Sequence, residues 1–171
     1  MNPFKKRKNL PAVVVASLCA VAFFAAPALF AGDVNHTEAQ VKVWIPDDWA
    51  QEADADSLII TDPNDEVMVA FLVVDSENIT AALDAMEAEL SKIVEEISSE
   101  TEPKEIKLNG MPAVVLDGKG KVQGEAVDLG IVIILTPAKK ALLVFAIAQS
   151  ATVANHEKTI EKVLGGIRPL K

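Results

Sequence analysis

One segment of the sequence constrains the fold more than any other. VMVAFLVVD (67–75) is apolar at almost every position. A strand with one solvated face alternates apolar and polar residues, whereas a short continuous apolar run is typical of a strand that is buried on both faces. We therefore expect a central β-strand here, with a layer of the protein packed on each side of its sheet.

Further strand signals lie on both sides of this segment. VKVWIP (41–46) alternates, and SLIITD (57–62) precedes a Pro63-Asn64-Asp65 turn signal. Residues 104–149 have no helical period and contain four strand candidates: EIKL, MPAVVLDGKGKV, EAVDLGIVIILT and KALLVFAIAQ. Asn109-Gly110 and Gln123-Gly124 mark short turns between them. Short turns join antiparallel neighbours, so we expect a largely antiparallel sheet.

Two helices are predicted. Apolar residues at positions 79, 83, 86, 90, 93, 94 and 97 form one stripe at helical spacing, which predicts a long helix over 79–97. A closing helix is expected from about Thr152 to Leu164, with Gly165-Gly166 as its stop. The predicted fold class is α+β, with a largely antiparallel sheet of about six to seven strands and two main helices packed on it as an α/β/α sandwich.

The N-terminus has the layout of a secretory signal peptide. Residues 1–9 are basic, residues 10–31 carry no charge, and a polar stretch follows. Cleavage after Ala31 is favoured over cleavage after Ala28. The 22 uncharged residues are also long enough to span a bilayer, so an N-terminal membrane anchor is the alternative. We expect residues 1–31 to be a signal peptide, residues 32–40 a flexible leader, residues 41–171 one domain, and the protein to be periplasmic or secreted.

Charge and cysteine content exclude several classes of function. Residues 32–171 contain 12 basic and 25 acidic residues, a net charge of 12 − 25 = −13. Such a chain does not attract a nucleic acid or an anionic membrane, so we expect no nucleic-acid partner and no membrane insertion after cleavage. The one cysteine, Cys19, lies inside the apolar segment and follows Leu18, which does not fit a lipidation signal. The exported domain therefore has no disulfide, no cysteine-ligated zinc and no thiol nucleophile.

Several motifs together resemble a known family. VWIPDDW (43–49), SLIITDP, the apolar strand, a long helix, LNGMPA (108–113) and a closing helix ending in IRPL are similar to the PsbP-like superfamily, the Mog/PsbP-like α/β/α sandwich. The resemblance covers about residues 41–170. It implies the sandwich fold, but the family includes photosystem II accessory subunits, a nuclear GTPase-binding factor and secreted bacterial proteins. It therefore implies no single activity and no site residues.

The sequence shows no signature of an enzyme. His36 lies in the predicted leader, and His156 lies on the closing helix away from its apolar stripe. No G-x-S-x-G motif occurs. Because a hydrolase needs a nucleophile held against a base, we expect no enzymatic activity and no cofactor.

Seven residues are candidates for contact with a ligand or partner. The oxygens of DPNDEV (62–67) alternate as at the start of a calcium loop, but an EF-hand would need Gly at position 67 and Glu at position 73, where valines stand. A polar turn is therefore favoured over a weak cation site. GKGKVQG (118–124) lacks the phosphate-loop spacing and indicates a twisted hairpin or a mobile tip. The candidates are Trp44, Trp49, Asp62, Asp65, Glu66, Lys119 and Lys121.

The sequence thus favours an exported, non-enzymatic accessory or binding protein that contacts another protein at the cell envelope. A domain that binds a small molecule or weakly binds a cation such as Ca²⁺ is the alternative.

Overall fold

The computed structural model describes residues 32–76 and 78–170. The predicted signal peptide lies outside the described residues. The described chain forms a three-stranded sheet, an eight-stranded sheet and two α-helices. The strands are β1 (Gly32–His36), β2 (Val41–Ile45), β3 (Ala50–Ala53), β4 (Ser57–Thr61), β5 (Val67–Val74), β6 (Glu95–Ser99), β7 (Lys104–Leu108), β8 (Met111–Val122), β9 (Glu125–Leu135), β10 (Ala141–Gln149) and β11 (Arg168–Pro169). The helices are α1 (Ile79–Leu90) and α2 (Val153–Gly165).

The large sheet is antiparallel throughout. Its strand order is β3-β4-β5-β10-β9-β8-β6, and β7 also pairs with β8. Strand β5, the apolar segment from which the fold prediction starts, lies inside the sheet between β4 and β10, as predicted. The Asn109-Gly110 and Gln123-Gly124 turns join β7 to β8 and β8 to β9. All four turn residues have positive φ angles, which suits a tight hairpin turn of the primed type.

Two hydrophobic cores cover the two faces of the large sheet, so the α+β sandwich prediction is confirmed. Val69 and Phe71 of β5 face one core, together with Val163 of α2 and the buried residues of β2. Ala70, between them in sequence, faces the other core with Met86 of α1. Alternate residues of β5 therefore point into different cores, which explains why the segment is apolar on both faces.

Residues 32–40 differ from the predicted leader. Strand β1 pairs along its whole length with β2, and His36 lies opposite Val41. The side chain of Asp33 forms ion pairs with Lys42 of β2, the strand next to β1, and with Arg168 of β11, the strand beyond it. Strand β1 is an edge of the three-stranded sheet, and its exposure alternates along the strand as expected where one face is solvated, which accounts for its polar composition.

The long helix is shorter than predicted. Helix α1 ends at Leu90, and residues 95–99 form strand β6 instead of the last helical turns. Tightened hydrogen bonds end the helix: Lys92 N–H donates to Glu89 O at 3.2 Å, and Ile93 N–H donates to Leu90 O at 3.0 Å. Val94 remains buried beyond the helix end, so the apolar spacing continues although the backbone changes.

No helix within residues 32–76 and 78–170 is long and apolar enough to cross a membrane.

Candidate functional site

The turn between β4 and β5 is organised by the carboxylate of Asp62. Its side chain is buried, and its Oδ1 accepts hydrogen bonds from the backbone N–H groups of Glu66, at 2.6 Å, and Val67, at 2.7 Å. Its Oδ2 accepts a third bond from Asn64 N–H at 3.1 Å. A carboxylate bonded to three backbone donors is fixed in position, and it holds the turn in one conformation.

The end of strand β10 brings the first turn of α2 to this β4–β5 turn. Gln149 N–H donates to Glu66 O at 2.9 Å, and the Gln149 side-chain amide donates to Asp65 O at 3.2 Å. Thr152 N–H then bonds back to Gln149 O at 3.0 Å, which starts the helix immediately beyond the contact. This arrangement places His156 above the turn, with its Nε2 at 2.8 Å from Glu66 Oε2.

Asp62, Glu66 and His156 therefore form one cluster, which we call the carboxylate–histidine cluster. One potential ligand atom from each side chain lies within 4.8 Å of the other two. Asp62 is buried, while the side chains of His156 and Glu66 are 16% and 26% exposed, so solvent reaches the cluster from one side. Two carboxylates and an imidazole are a donor set that suits a divalent cation.

Sequence reasoning found two members of this cluster and missed the third. It placed Asp62 and Glu66 in one turn but treated His156 as a surface residue of the closing helix. Ninety residues separate Glu66 from His156, and no local motif links them. Asp65, the third predicted acidic residue, adopts the left-handed conformation with φ of 57° and contributes its backbone carbonyl to Gln149.

The two tryptophans lie in or against a core. Trp49 is 4% exposed and belongs to the same core as Val163. Trp44 is partly buried against that core, and Lys162 Nζ of α2 lies 3.7 Å from the centre of its ring. A cation over an indole face is a stabilising contact, so both rings have an evident structural role.

Lys119 and Lys121 lie within strand β8 and not in a mobile tip. Lys119 Nζ is 2.9 Å from Glu100 Oε1, and Lys121 Nζ pairs with Glu96 Oε2 at 2.5 Å. The hydrogen bond to Glu100 raises the pKa of Lys119 above its ordinary value.

The glycines beside these lysines have a packing role. A Cβ atom at Gly118 would lie 2.7 Å from Ser98 O, and one at Gly120 would lie 2.3 Å from Val94 Cγ1. The glycine-rich sequence therefore allows β6 and the segment before it to approach β8 closely.

Strands β6 and β7 make an exposed, acidic edge of the large sheet. Every residue of β6 is exposed, and Ile97, at 41%, is the large hydrophobic side chain most open to solvent in the described chain. Residues 95–108 contain five glutamates and two lysines, a net charge of −3. We call this surface, residues 95–108, the acidic edge. Its glutamates are Glu95, Glu96, Glu100, Glu102 and Glu105.

His36, the other histidine of the described chain, belongs to the segment predicted as a flexible leader, but the structure places it at the end of strand β1 and buries it. It is 6% exposed, and its Nε2 has no hydrogen-bond partner among the described residues. Burial lowers the pKa of His36 below its ordinary value of 6.5, and the negative charges of Glu38 and Asp56 oppose that shift.

Two of the clefts on the surface of the described residues are open to solvent. One, of about 320 Å³, is lined by residues of β1 and the β3–β4 turn, including His36 and Leu58. The other, of about 380 Å³, lies beside Asn109 and Pro169. Ligand pockets usually span about 300–1,000 Å³, so both clefts are at the small end. Neither is lined by a tryptophan or by the carboxylate–histidine cluster.

Comparison with known proteins locates the fold but not an activity. No family model matches the chain. No curated protein sequence matches it significantly. Solved structures do match. The cyanobacterial PsbP (CyanoP) of Synechocystis superimposes with a TM-score of 0.60 at 8% identity, over 87% of this chain and 98% of its own.

Two further matches have the same fold. LpqN, which is involved in cell envelope biogenesis of Mycobacterium tuberculosis, has a TM-score of 0.56 at 15% identity, over 80% of this chain and 88% of its own. The Ran-binding protein Mog1p of Saccharomyces cerevisiae has a TM-score of 0.54 at 7% identity, over 84% of this chain and 97% of its own. The chain therefore has the PsbP/Mog1-like fold, which confirms the resemblance of its motifs at the level of the fold.

Proposed function

We propose that this protein is an exported, non-enzymatic accessory protein that binds a basic surface of another protein at the cell envelope. The acidic edge is its binding surface. The observation that carries the proposal is the combination found there: a fully exposed edge strand, a net charge of −3 and an exposed Ile97. The secretory layout of residues 1–31 and the fold shared with LpqN support an extracytoplasmic location.

The edge has the physical properties that a protein contact needs. The outer side of β6 is not paired with another strand of the described chain, so its backbone groups are open to a partner. The pairing of β6 with β8 shifts register between Glu95 and Ser98, and Glu96 has a φ of 52°. Such a bulge hinders pairing between two copies of a flat edge, which favours a specific partner over self-association.

The negative charge of the acidic edge indicates what kind of partner surface it binds. Two of the five edge glutamates are already paired with Lys119 and Lys121, while the whole of residues 32–171 carries −13. An acidic surface on an acidic protein attracts basic surfaces over distance and repels acidic ones, so we expect a partner rich in lysine and arginine at the contact. Ile97 then supplies the apolar contact at the centre of the interface.

Site-specific photo-crosslinking in intact cells tests the proposal. A photoreactive amino acid replaces Ile97 in one full-length variant and Lys158, an exposed residue of α2, in a matched control. We expect one defined cross-linked product from position 97, formed outside the inner membrane, and none at the same yield from position 158. Equal products from both positions, or none from position 97, contradict the proposal.

A further inference from the structure

The geometry points to a divalent transition-metal site at the carboxylate–histidine cluster, formed by Asp62, Glu66 and His156. It lies away from the acidic edge and does not depend on the proposed protein contact. A bound ion at this place would join the β4–β5 turn to the first turn of α2, two elements that the His156–Glu66 hydrogen bond links there.

The distances are close to those of a metal site. Zinc bonds to histidine nitrogen and carboxylate oxygen are about 2.0–2.2 Å long, so the ligand atoms of a tetrahedral site lie about 3.3–3.6 Å apart. Here Glu66 Oε2 and His156 Nε2 are 2.8 Å apart, and all three ligand atoms lie within 4.8 Å of one another. The adjustment is small, and the partly exposed side chain of Glu66 can make it by a change of rotamer.

The three ligands differ in how rigidly they are held and in the hydrogen bonds they make without a metal ion. Asp62 is rigid, because three backbone N–H groups hold its carboxylate, and Oδ2 accepts only one of those bonds. The second lone pair of Asp62 Oδ2 is therefore open to an ion. The Nε2–H group of His156 donates a hydrogen bond to Glu66 Oε2. Metal binding would replace this bond, with the imidazole proton placed on Nδ1 and Nε2 facing the ion.

The donor set selects the class of ion. Calcium takes six to eight oxygen ligands, and this cluster offers two carboxylates and a nitrogen. Imidazole with carboxylate suits zinc and its first-row neighbours, with three protein ligands and water completing the coordination. The donor set therefore favours zinc over calcium, the ion of the weak cation site that the sequence left only as an alternative.

Zinc titration of the full-length protein and of four variants tests the assignment. Glu66→Gln and His156→Gln each remove one ligand from a partly exposed side chain. Asp65→Asn is the matched control in the same turn, and asparagine tolerates its left-handed backbone. His36→Gln controls for binding at the other histidine. Thermal melts of each metal-free variant establish that it is folded.

We expect the wild type to bind one zinc ion, and we expect Glu66→Gln and His156→Gln to raise the dissociation constant at least about tenfold. Asp65→Asn and His36→Gln should bind as the wild type does. In nitrogen-15 spectra zinc should move the ring resonances of His156 and leave those of His36 in place. The absence of zinc binding by the wild type, equal binding by Glu66→Gln and His156→Gln, or tighter binding of calcium than of zinc would each overturn the assignment.

Discussion

Replacing Asp62 with asparagine keeps the shape of the side chain but removes the charge on which the β4–β5 turn depends. The carboxylate accepts three backbone hydrogen bonds, at 2.6, 2.7 and 3.1 Å. An amide has one oxygen, so Asp62→Asn retains at most two of these bonds and turns an NH₂ group toward the third donor. The substitution therefore breaks one contact and weakens the other two.

The size of the effect follows from these contacts. A hydrogen bond to a charged group contributes about 1.5–3 kcal/mol, and one between neutral groups contributes about 0.5–1.5 kcal/mol. We expect two of the bonds to weaken by about 1 kcal/mol each, and the loss of the partly exposed third bond to cost about 1 kcal/mol more. The free energy of unfolding therefore falls by about 3 kcal/mol. That is a large part of the 5–15 kcal/mol typical of a domain.

Urea unfolding followed by tryptophan fluorescence measures this change, because Trp49 is buried in the folded state. With a denaturant slope of about 2 kcal/mol per molar, the midpoint should fall by about 1.5 M. Asp65→Asn is the control, since no side-chain hydrogen bond of that carboxylate holds the turn. If the two variants unfold at the same urea concentration, the reasoning about Asp62 is refuted.

Three further changes test other parts of the structure. The free energy of unfolding should fall as the pH drops from about 6.5 toward the lowered pKa of His36, because the unfolded chain then binds more protons than the folded one. Urea melts at several pH values measure this dependence, and His36→Gln should flatten it. Gly120→Ala should lower the free energy of unfolding by about 1–3 kcal/mol, because its Cβ would lie 2.3 Å from Val94 Cγ1. Gly165→Ala is the control: its Cβ would meet no atom within 4 Å, so the same melts should show no fall in the free energy of unfolding. Asn109→Gly keeps the positive φ of the turn but removes two side-chain hydrogen bonds, to Gly165 O at 2.9 Å and to Ile167 O at 2.7 Å. Calorimetry should show that the free energy of unfolding falls by about 1–3 kcal/mol, and an unchanged melting profile would be the contrary result.

The main architecture could be predicted from the sequence because burial leaves a periodic pattern. The apolar run of β5 indicated a central strand, and the two hairpin dipeptides fixed antiparallel neighbours. Strand β6 could not be predicted in this way. All five of its residues are exposed, so it has no alternation, and the apolar stripe of α1 continues past the helix end through Val94 and Ile97. Strand β1 was missed because its polar residues look like a leader until they are paired with β2.

The candidate site was only partly predictable for a different reason. Asp62 and Glu66 belong to one turn, and their roles there follow from local sequence. His156 joins them only because β10 ends beside that turn and starts α2 over it, which is a property of the tertiary structure. Gly118 and Gly120 lie in a segment for which the sequence left two alternatives, a twisted hairpin or a mobile tip. The structure shows the hairpin, and it also shows that these glycines allow close packing of β6, a contact between distant segments that no local pattern indicates.

The most direct test of the proposed function combines the cross-link from position 97 with charge reversal. One variant changes three glutamates of the acidic edge to lysine: Glu95, Glu102 and Glu105. A matched variant changes three exposed acidic residues elsewhere to lysine: Asp47, Glu52 and Asp54. Both add the same positive charge, so only the location differs. We predict that the cross-linked product is lost in the edge variant and retained in the matched variant. Equal yields of that product from the two variants would contradict a basic partner bound at the acidic edge.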